Sequence, residues 1–126
     1  MSVLVDTSVW VAHFRQPHAG LMSLLVADGV LSHPMVIAEL ACGTPPAPRE
    51  RTLGDLGLLR QTQQPSLREV MDFVERERLY GLGCGLVDLV LLASTLITPG
   101  ARLWTLDRRL AGLAERFGVA FVATPA

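Results

Sequence analysis

The sequence predicts an α/β fold with a short, mostly parallel sheet. Short aliphatic and β-branched runs alternate with longer segments whose apolar residues recur at helical spacing. Glycines and prolines separate the two kinds of segment, as expected for turns between them. Strands that alternate with helices favour parallel pairing, because the chain crosses back over the sheet between one strand and the next.

The first predicted strand is VLV at residues 3–5, which ends at Asp6. Thr7 and Ser8 follow, and their hydroxyls are suited to capping the helix predicted over VWVAHF at 9–14. The QP pair just beyond this segment is expected to end the helix.

A second helix is predicted over residues 19–27, and Gly29 is its expected stop. Val-Leu at 30–31 predicts a second short strand. Pro34 is well placed in the first turn of the next helix, MVIAELAC, which Gly43 should end.

Residues 44–48 contain three prolines and predict a loop. Two amphipathic helices are then expected, over 49–60 and 66–78. Ser66 and Glu69 have the spacing of a capping box at the start of the second one.

Residues 80–85 carry glycines at alternate positions and predict a tight or mobile connection. The segment 86–98 is apolar nearly all round, which indicates a central helix. A strand at 102–105, a helix at 108–117 and a final strand at 119–122 complete the predicted order.

The chain has 126 residues, a common size for one domain, and we expect residues 1–126 to form a single domain. Half of the residues are hydrophobic, so some apolar surface should meet a partner. The longest apolar stretch, 86–97, is too short to cross a bilayer. Met1 and Ser2 lead directly into the first strand without a basic leader, so a cytoplasmic protein is expected.

The two cysteines, Cys42 and Cys84, show no metal-binding or disulfide pattern and are expected to be small buried side chains in a reducing compartment. All basic residues are arginine, which suits phosphate contacts but also fits biased codon usage. The formal net charge of −1 neither supports nor excludes RNA binding.

Four carboxylates lie where a charge is costly, next to or inside apolar runs. They are Asp6 in SVLVD, Glu39 in VIAELA, Asp88 in LVDLVLLAS and Asp107 in LWTLD. A divalent cation makes such a cluster tolerable in apolar surroundings. The four acids therefore predict a shared metal site.

Each acid also has a local explanation when it is taken alone. Asp6 could cap a helix, Asp88 could stabilise the first turn of its helix, and Asp107 could start a helix or pair with a neighbouring arginine. Glu39 has the weakest explanation, because it lies in the second half of its helix, where the helix dipole disfavours a negative charge. A solvent-exposed glutamate remains the alternative for it.

The predicted topology brings two of these acids together. Asp6 and Asp107 both follow a strand, and ligands of parallel sheets bind at the carboxyl ends of strands. A cluster with oxygen ligands alone favours Mg²⁺ or Mn²⁺. The histidines at 13, 18 and 33 lack metal-ligand spacing and are expected at the surface or in local hydrogen bonds.

Four blocks together resemble the acidic motifs of the PIN-domain ribonucleases: LVDTSVWV, the helix with IAEL, VDLVLLAS and LWTLDRRL. The resemblance runs from Val3 to about Val122. At this single-domain length, the chain looks like a VapC toxin of a toxin–antitoxin pair. The order and separation of the four blocks are more specific than any one of them.

This resemblance implies a three-layer α/β/α sandwich and an endoribonuclease that depends on Mg²⁺ or Mn²⁺. It assigns the acidic roles to Asp6, Glu39, Asp88 and Asp107, with supporting hydroxyls at three further positions. These positions are Thr7, Ser8 and Thr105.

Among the four acids, Asp6 and Asp88 are the expected direct metal ligands. Glu39 and Asp107 would complete the site directly or through water. The implied partners are an RNA substrate, a VapB-type antitoxin and a second copy of the chain in a homodimer, with no membrane.

Two alternatives to a PIN-domain ribonuclease are an α/β enzyme of another class and a binding module without activity. A phosphatase of the haloacid-dehalogenase type or a receiver domain also uses an aspartate after its first strand. The phosphatase needs a second aspartate where this chain has Ser8, and both need a lysine, which the chain lacks. A PIN-like module that binds a protein partner and cuts nothing remains the alternative, because sequence alone does not separate it from an enzyme.

Overall fold

Strands and helices alternate along the chain as the sequence predicts. The structure is a computed structural model that describes residues 1–123, and this part of the chain contains three strands and seven helices. In chain order they are β1 (Ser2–Val5), α1 (Thr7–Arg15), α2 (Ala19–Val26), β2 (Val30–Leu31), α3 (Pro34–Cys42), α4 (Arg49–Leu56), α5 (Leu67–Glu77), α6 (Leu86–Ile97), β3 (Ala101–Trp104) and α7 (Arg108–Arg116).

The three strands form one parallel sheet in the order β2-β1-β3. The register pairs Val3 with Val30 on one side of β1, and Val5 with Trp104 on the other. Because β1 and β3 end side by side, the residues that follow them emerge at the same edge of the sheet.

The central strand is buried on both faces. Val3, Leu4 and Val5 each have 0% of their surface exposed, and successive strand residues point to opposite faces of the sheet. Helices therefore cover both faces, as they do in parallel sheets generally. This confirms the expected layering of helices on either side of a short sheet.

Several helix boundaries follow the local signals in the sequence. The capping box at the start of α5 is present: the Glu69 backbone N–H donates to Ser66 Oγ (3.1 Å), and the Ser66 N–H donates to Glu69 Oε1 (2.9 Å). The predicted central helix, α6, is buried from Leu89 to Thr95. No helix in the described part of the chain is both long and apolar enough to cross a membrane.

Two predicted elements are wrong in extent or kind. The strand expected at 119–122 is reduced to a single bridge between Leu103 and Ala120. Its hydrogen bonds both involve Leu103, whose N–H donates to the Val119 carbonyl (2.7 Å) and whose carbonyl accepts the Phe121 N–H (2.9 Å). The helix expected over 49–60 ends at Leu56. Beyond it, the Arg60 carbonyl accepts the Ser32 N–H and the Thr62 N–H donates to the Ser32 carbonyl, so this segment pairs beside β2.

The prediction that both cysteines are buried is also wrong. Cys42 is exposed and Cys84 is half-buried. Cys42 is the last residue of α3, whose buried face is formed by Val36 and Leu40.

A buried histidine connects two helices that carry candidate acids, α3 and α6. His33 precedes α3; its Nδ1 accepts the Met35 N–H (3.0 Å), and its Nε2 lies 3.1 Å from Ser94 Oγ. Ser94 donates its own proton to the Val90 carbonyl (2.7 Å), so Nε2–H must be the donor to Ser94. The imidazole is therefore neutral, and burial lowers its pKa.

This arrangement predicts a pH-dependent contribution of His33 to stability. The depressed pKa means that the contribution is complete above the unfolded-state pKa, about 6.5, and is lost as the pH falls below it. His33→Asn keeps an acceptor at the helix start but loses the bond to Ser94, and should cost about 1–2 kcal/mol at pH 8. In urea unfolding, the difference between wild type and variant should shrink towards pH 5. A difference that stays constant over this range would contradict the assignment.

Candidate metal centre

The carboxyl ends of β1 and β3 position two of the four acids. Asp6 follows β1 directly, and its N–H donates to the Trp104 carbonyl at the end of β3 (2.9 Å). Asp107 follows β3 after Thr105 and Leu106. Both acids lie at the same edge of the sheet, as the topology predicts.

Asp6 is a buried carboxylate whose partners within residues 1–123 are hydroxyl groups and not cations. Only 5% of its surface is exposed, and its Oδ2 accepts hydrogen bonds from Ser8 Oγ (2.7 Å) and Thr105 Oγ1 (2.8 Å). Asp6 occupies the N-cap position of α1 but makes no side-chain capping bond. The expectation that Thr7 and Ser8 cap this helix is wrong, because their hydroxyls bind carboxylates instead.

Ser8 and Thr105 also fix the turn that follows β3. Ser8 Oγ accepts the Leu106 N–H (3.0 Å), and Thr105 Oγ1 accepts the Asp107 N–H (3.1 Å). Each hydroxyl thus gives its proton to Asp6 and accepts a backbone proton from the turn. The two side chains lock the Asp6 carboxylate to the segment that carries Asp107.

Asp107 is exposed and caps α7. Its Oδ1 accepts the backbone N–H groups of Arg109 (2.9 Å) and Leu110 (3.0 Å). The local explanation for Asp107, a helix start, is therefore correct. This capping uses only Oδ1, so Oδ2 of Asp107 remains able to bind a metal ion.

Asp88 lies in the first turn of α6, half-buried beside the other aspartates. Its Oδ2 accepts the Gly85 N–H (3.2 Å). Burial raises the pKa of Asp88, and the charges of Asp6 and Asp107 raise it further, while the Gly85 N–H opposes this effect. The structure therefore brings these three aspartates within electrostatic reach of one another.

Glu39 reaches the site from a different helix. It is exposed on α3, which packs against α1, and its Oε1 accepts a hydrogen bond from Thr7 Oγ1 (2.7 Å). Thr7 is the residue after Asp6, so this bond holds Glu39 beside the edge of the sheet.

The four carboxylates share a pattern of hydrogen bonds. Within residues 1–123, each has one oxygen that accepts hydrogen bonds and another that accepts none. In the same part of the chain, none of the four forms an ion pair with an arginine or histidine. Uncompensated carboxylates with a free oxygen are chemically suited to a hard divalent cation.

The side chains are not arranged as a closed coordination shell. Among the described residues, no three Asp, Glu, His or Cys side chains converge closely enough to hold a metal ion. The chemistry of the donors thus fits a cation, whereas the present rotamers keep the donors apart.

Sequence reasoning missed two residues beside the aspartates, Cys84 and Arg109. Burial raises the pKa of the Cys84 thiol, and the charges of Asp88 and Asp107 raise it further while that of Arg109 lowers it. Arg109 Nη1 donates to the Gly83 carbonyl (3.4 Å) rather than to a carboxylate. The place of Arg109 two residues after Asp107 was a usable signal, but nothing local marked Cys84.

Comparison with known proteins gives one consistent result. The chain is 45% identical over 118 residues to Ribonuclease VapC32 of Mycobacterium tuberculosis, in the CDC 1551 / Oshkosh strain and in the H37Rv strain alike. The match covers 94% of this chain and 94% of each relative. No family model matches the sequence.

The raised pKa of Asp88 predicts that its charge destabilises the metal-free protein. Asp88→Asn removes the charge and still offers an oxygen to the Gly85 N–H. In EDTA at pH 8, the variant should therefore have a higher free energy of unfolding than wild type. The gain should vanish below about pH 4, where the wild-type carboxyl is protonated in both states.

Urea unfolding of both proteins measures this effect, with Asp72→Asn as the matched control. Asp72 is an exposed acid of α5 in a surface ion pair with Arg68, and its removal should change stability little. Equal stability of wild type and Asp88→Asn at pH 8 would show that the cluster does not strain the fold.

Proposed function

The chain belongs to the VapC family of PIN-domain ribonucleases, and from this membership we propose that it is a toxin endoribonuclease that hydrolyses RNA with Mg²⁺ or Mn²⁺. Its partners would be an RNA substrate and a VapB-type antitoxin, and it would act in the cytoplasm. The one hydrophobic core of the described residues supports a single PIN domain over residues 1–126.

The observation that carries this proposal is shared by all four carboxylates. Within residues 1–123, each has one oxygen that accepts hydrogen bonds and one that accepts none, and none of the four pairs with a cation. Asp6 and Asp88 would be direct ligands, since Asp6 is buried and has no cationic partner within residues 1–123, and Asp88 has a raised pKa next to two other acids. Glu39 and Asp107, both exposed, would bind directly or through water.

When bound, the cation would lower the pKa of a coordinated water and offset charge on the attacked phosphate. The residues of the chain supply orientation. Ser8 and Thr105 hold Asp6 Oδ2 and leave Oδ1 available, and Thr7 does the same for Glu39.

Histidine is a poor candidate for the base. Nδ1 of His13, His18 and His33 each accepts a backbone N–H, and the ring of His33 is also buried. Activation of the water therefore falls to the carboxylate site, which is the division of labour expected for a metal-dependent nuclease.

The first test is RNA cleavage by the purified protein. Cleavage should require Mg²⁺ or Mn²⁺ and stop with EDTA, and Asp6→Asn or Asp88→Asn should abolish it while the circular dichroism spectrum persists. Ser8→Ala should slow cleavage roughly 10–100-fold, because the supporting bond to Asp6 is lost.

Two matched controls accompany this assay. Asp72→Asn removes an exposed acid of α5 that pairs with Arg68, and Ser23→Ala removes an exposed helical hydroxyl; both should cleave at the wild-type rate. Unchanged cleavage by Asp6→Asn or Asp88→Asn would refute the site. A folded wild type that never cuts RNA would favour the alternative, a PIN-like module that only binds a protein partner.

The protein is also proposed to form a homodimer. The exposed apolar side chains support this, including Leu67 (57% exposed) and Met71 (53%), which lie one turn apart on α5. Burial of such side chains against a second copy would remove apolar surface from water.

Sedimentation of the wild type should therefore give twice the mass of one chain. Leu67→Glu combined with Met71→Glu should weaken the association at least tenfold. Ser23→Glu, at an exposed polar position of α2, is the matched control and should remain dimeric. A wild type that stays monomeric at all concentrations tested would contradict the proposal.

A further inference from the structure

A pocket of about 450 Å³ lies between α1 and α3, next to the candidate metal centre. Its volume falls within the roughly 300–1,000 Å³ of typical ligand sites. Thr7 and Glu39 form one end of it. The pocket therefore reaches the candidate metal centre on the side of Glu39, and its remaining walls have no role in the function proposed above.

The walls of the pocket are mainly apolar and flat. They come from Val11 and Phe14 of α1, Leu40 of α3, and the prolines Pro45 and Pro46. The Phe14 ring packs beside Trp10, with 6.0 Å between ring centroids, which limits its rotation. Aromatic and proline faces of this kind are suited to stacking against a planar group.

The loop that closes the pocket is held in place from outside. Arg49 donates from Nη2 to the Ala41 carbonyl (2.8 Å) and from Nη1 to the Gly43 carbonyl (3.3 Å). Thr52 Oγ1 donates to the Pro46 carbonyl (2.8 Å). The pocket therefore exists before a ligand arrives, which reduces the entropic cost of binding.

A cation lies at the rim. Arg15 is the last residue of α1, lines the pocket, and is exposed. Within residues 1–123, its guanidinium has no ion pair or side-chain hydrogen bond. A guanidinium in this state is available to a phosphate oxygen.

We propose that this pocket binds one nucleoside of single-stranded RNA, next to the phosphate that is cleaved, with Arg15 on a neighbouring phosphate. The proposal rests on the ribonuclease function proposed above. A strand whose phosphate lies at the carboxylates must place an adjoining nucleoside along the surface, and the pocket opens beside Glu39. Single-stranded RNA is recognised largely by stacking of its splayed bases on aromatic side chains.

The test fills the pocket without altering the carboxylates or the core. Val11, 37% exposed, is replaced by tryptophan, and Ala12→Trp is the matched control on the same helix, since Ala12 is exposed but does not line the pocket. Binding of a fluorescein-labelled 2′-O-methyl uridine nonamer is followed by anisotropy in EDTA, so that it does not depend on the metal site.

Val11→Trp should weaken binding of the nonamer roughly tenfold, the scale of one lost stacking contact. Ala12→Trp should bind like wild type. Arg15→Gln should weaken binding and make the salt dependence shallower by about 0.7 in the logarithmic slope, one phosphate contact on a single strand. Arg68→Gln, an exposed arginine of α5, is its control.

The proposal would be overturned if Val11→Trp and Arg15→Gln both bound the nonamer with the affinity and salt slope of the wild type. A protein segment would then be the better candidate ligand for the pocket. If these variants also cleave RNA normally with Mn²⁺ while Asp88→Asn is inactive, the ribonuclease function stands without this subsite. If the wild type cleaves no RNA, the proposed ribonuclease function is wrong. The anisotropy measurements still show whether the pocket binds single-stranded RNA.

Discussion

Repulsion between carboxylates at one edge of the sheet is the constraint on which the candidate site depends. The parallel register of β1 and β3 brings Asp6 and Asp107 to the same edge, and the start of α6 adds Asp88. Burial is the main cause of the raised pKa of Asp88, and the charges of Asp6 and Asp107 raise it further. The charged form of Asp88 is therefore disfavoured where the fold places it.

Two kinds of local interaction stabilise the four carboxylates. Asp88 and Asp107 lie at the starts of helices, where the dipole favours negative charge. Asp6 receives two hydroxyl protons, and Glu39 receives one. In the described part of the chain, none of the four acids has an arginine as a counter-ion. One oxygen of each acid also accepts no hydrogen bond and is available to an external cation.

The order of elements was predictable because short-range signals set it. Ser66 with Glu69 marked the start of α5, and Gly43 marked the end of α3. Long-range partners were not predictable: Thr7 binds an acid 32 residues away, and Ser8 lies beside a hydroxyl 97 residues away. The missing strand at 119–122 has a related cause, because a strand needs a partner and pairing with β3 is limited here to one bridge. The sequence showed that each of the four acids follows or interrupts an apolar run, but it did not show their unequal burial.

Calorimetric titration with Mn²⁺ tests directly whether these four acids form one site for a divalent cation. Wild type and four single variants, Asp6→Asn, Glu39→Gln, Asp88→Asn and Asp107→Asn, are titrated under one set of conditions, with Asp72→Asn as reference. We expect the wild type and the reference to bind Mn²⁺, Asp6→Asn and Asp88→Asn to lose binding, and the other two variants to bind more weakly. Binding that is unchanged in all four variants would contradict this expectation.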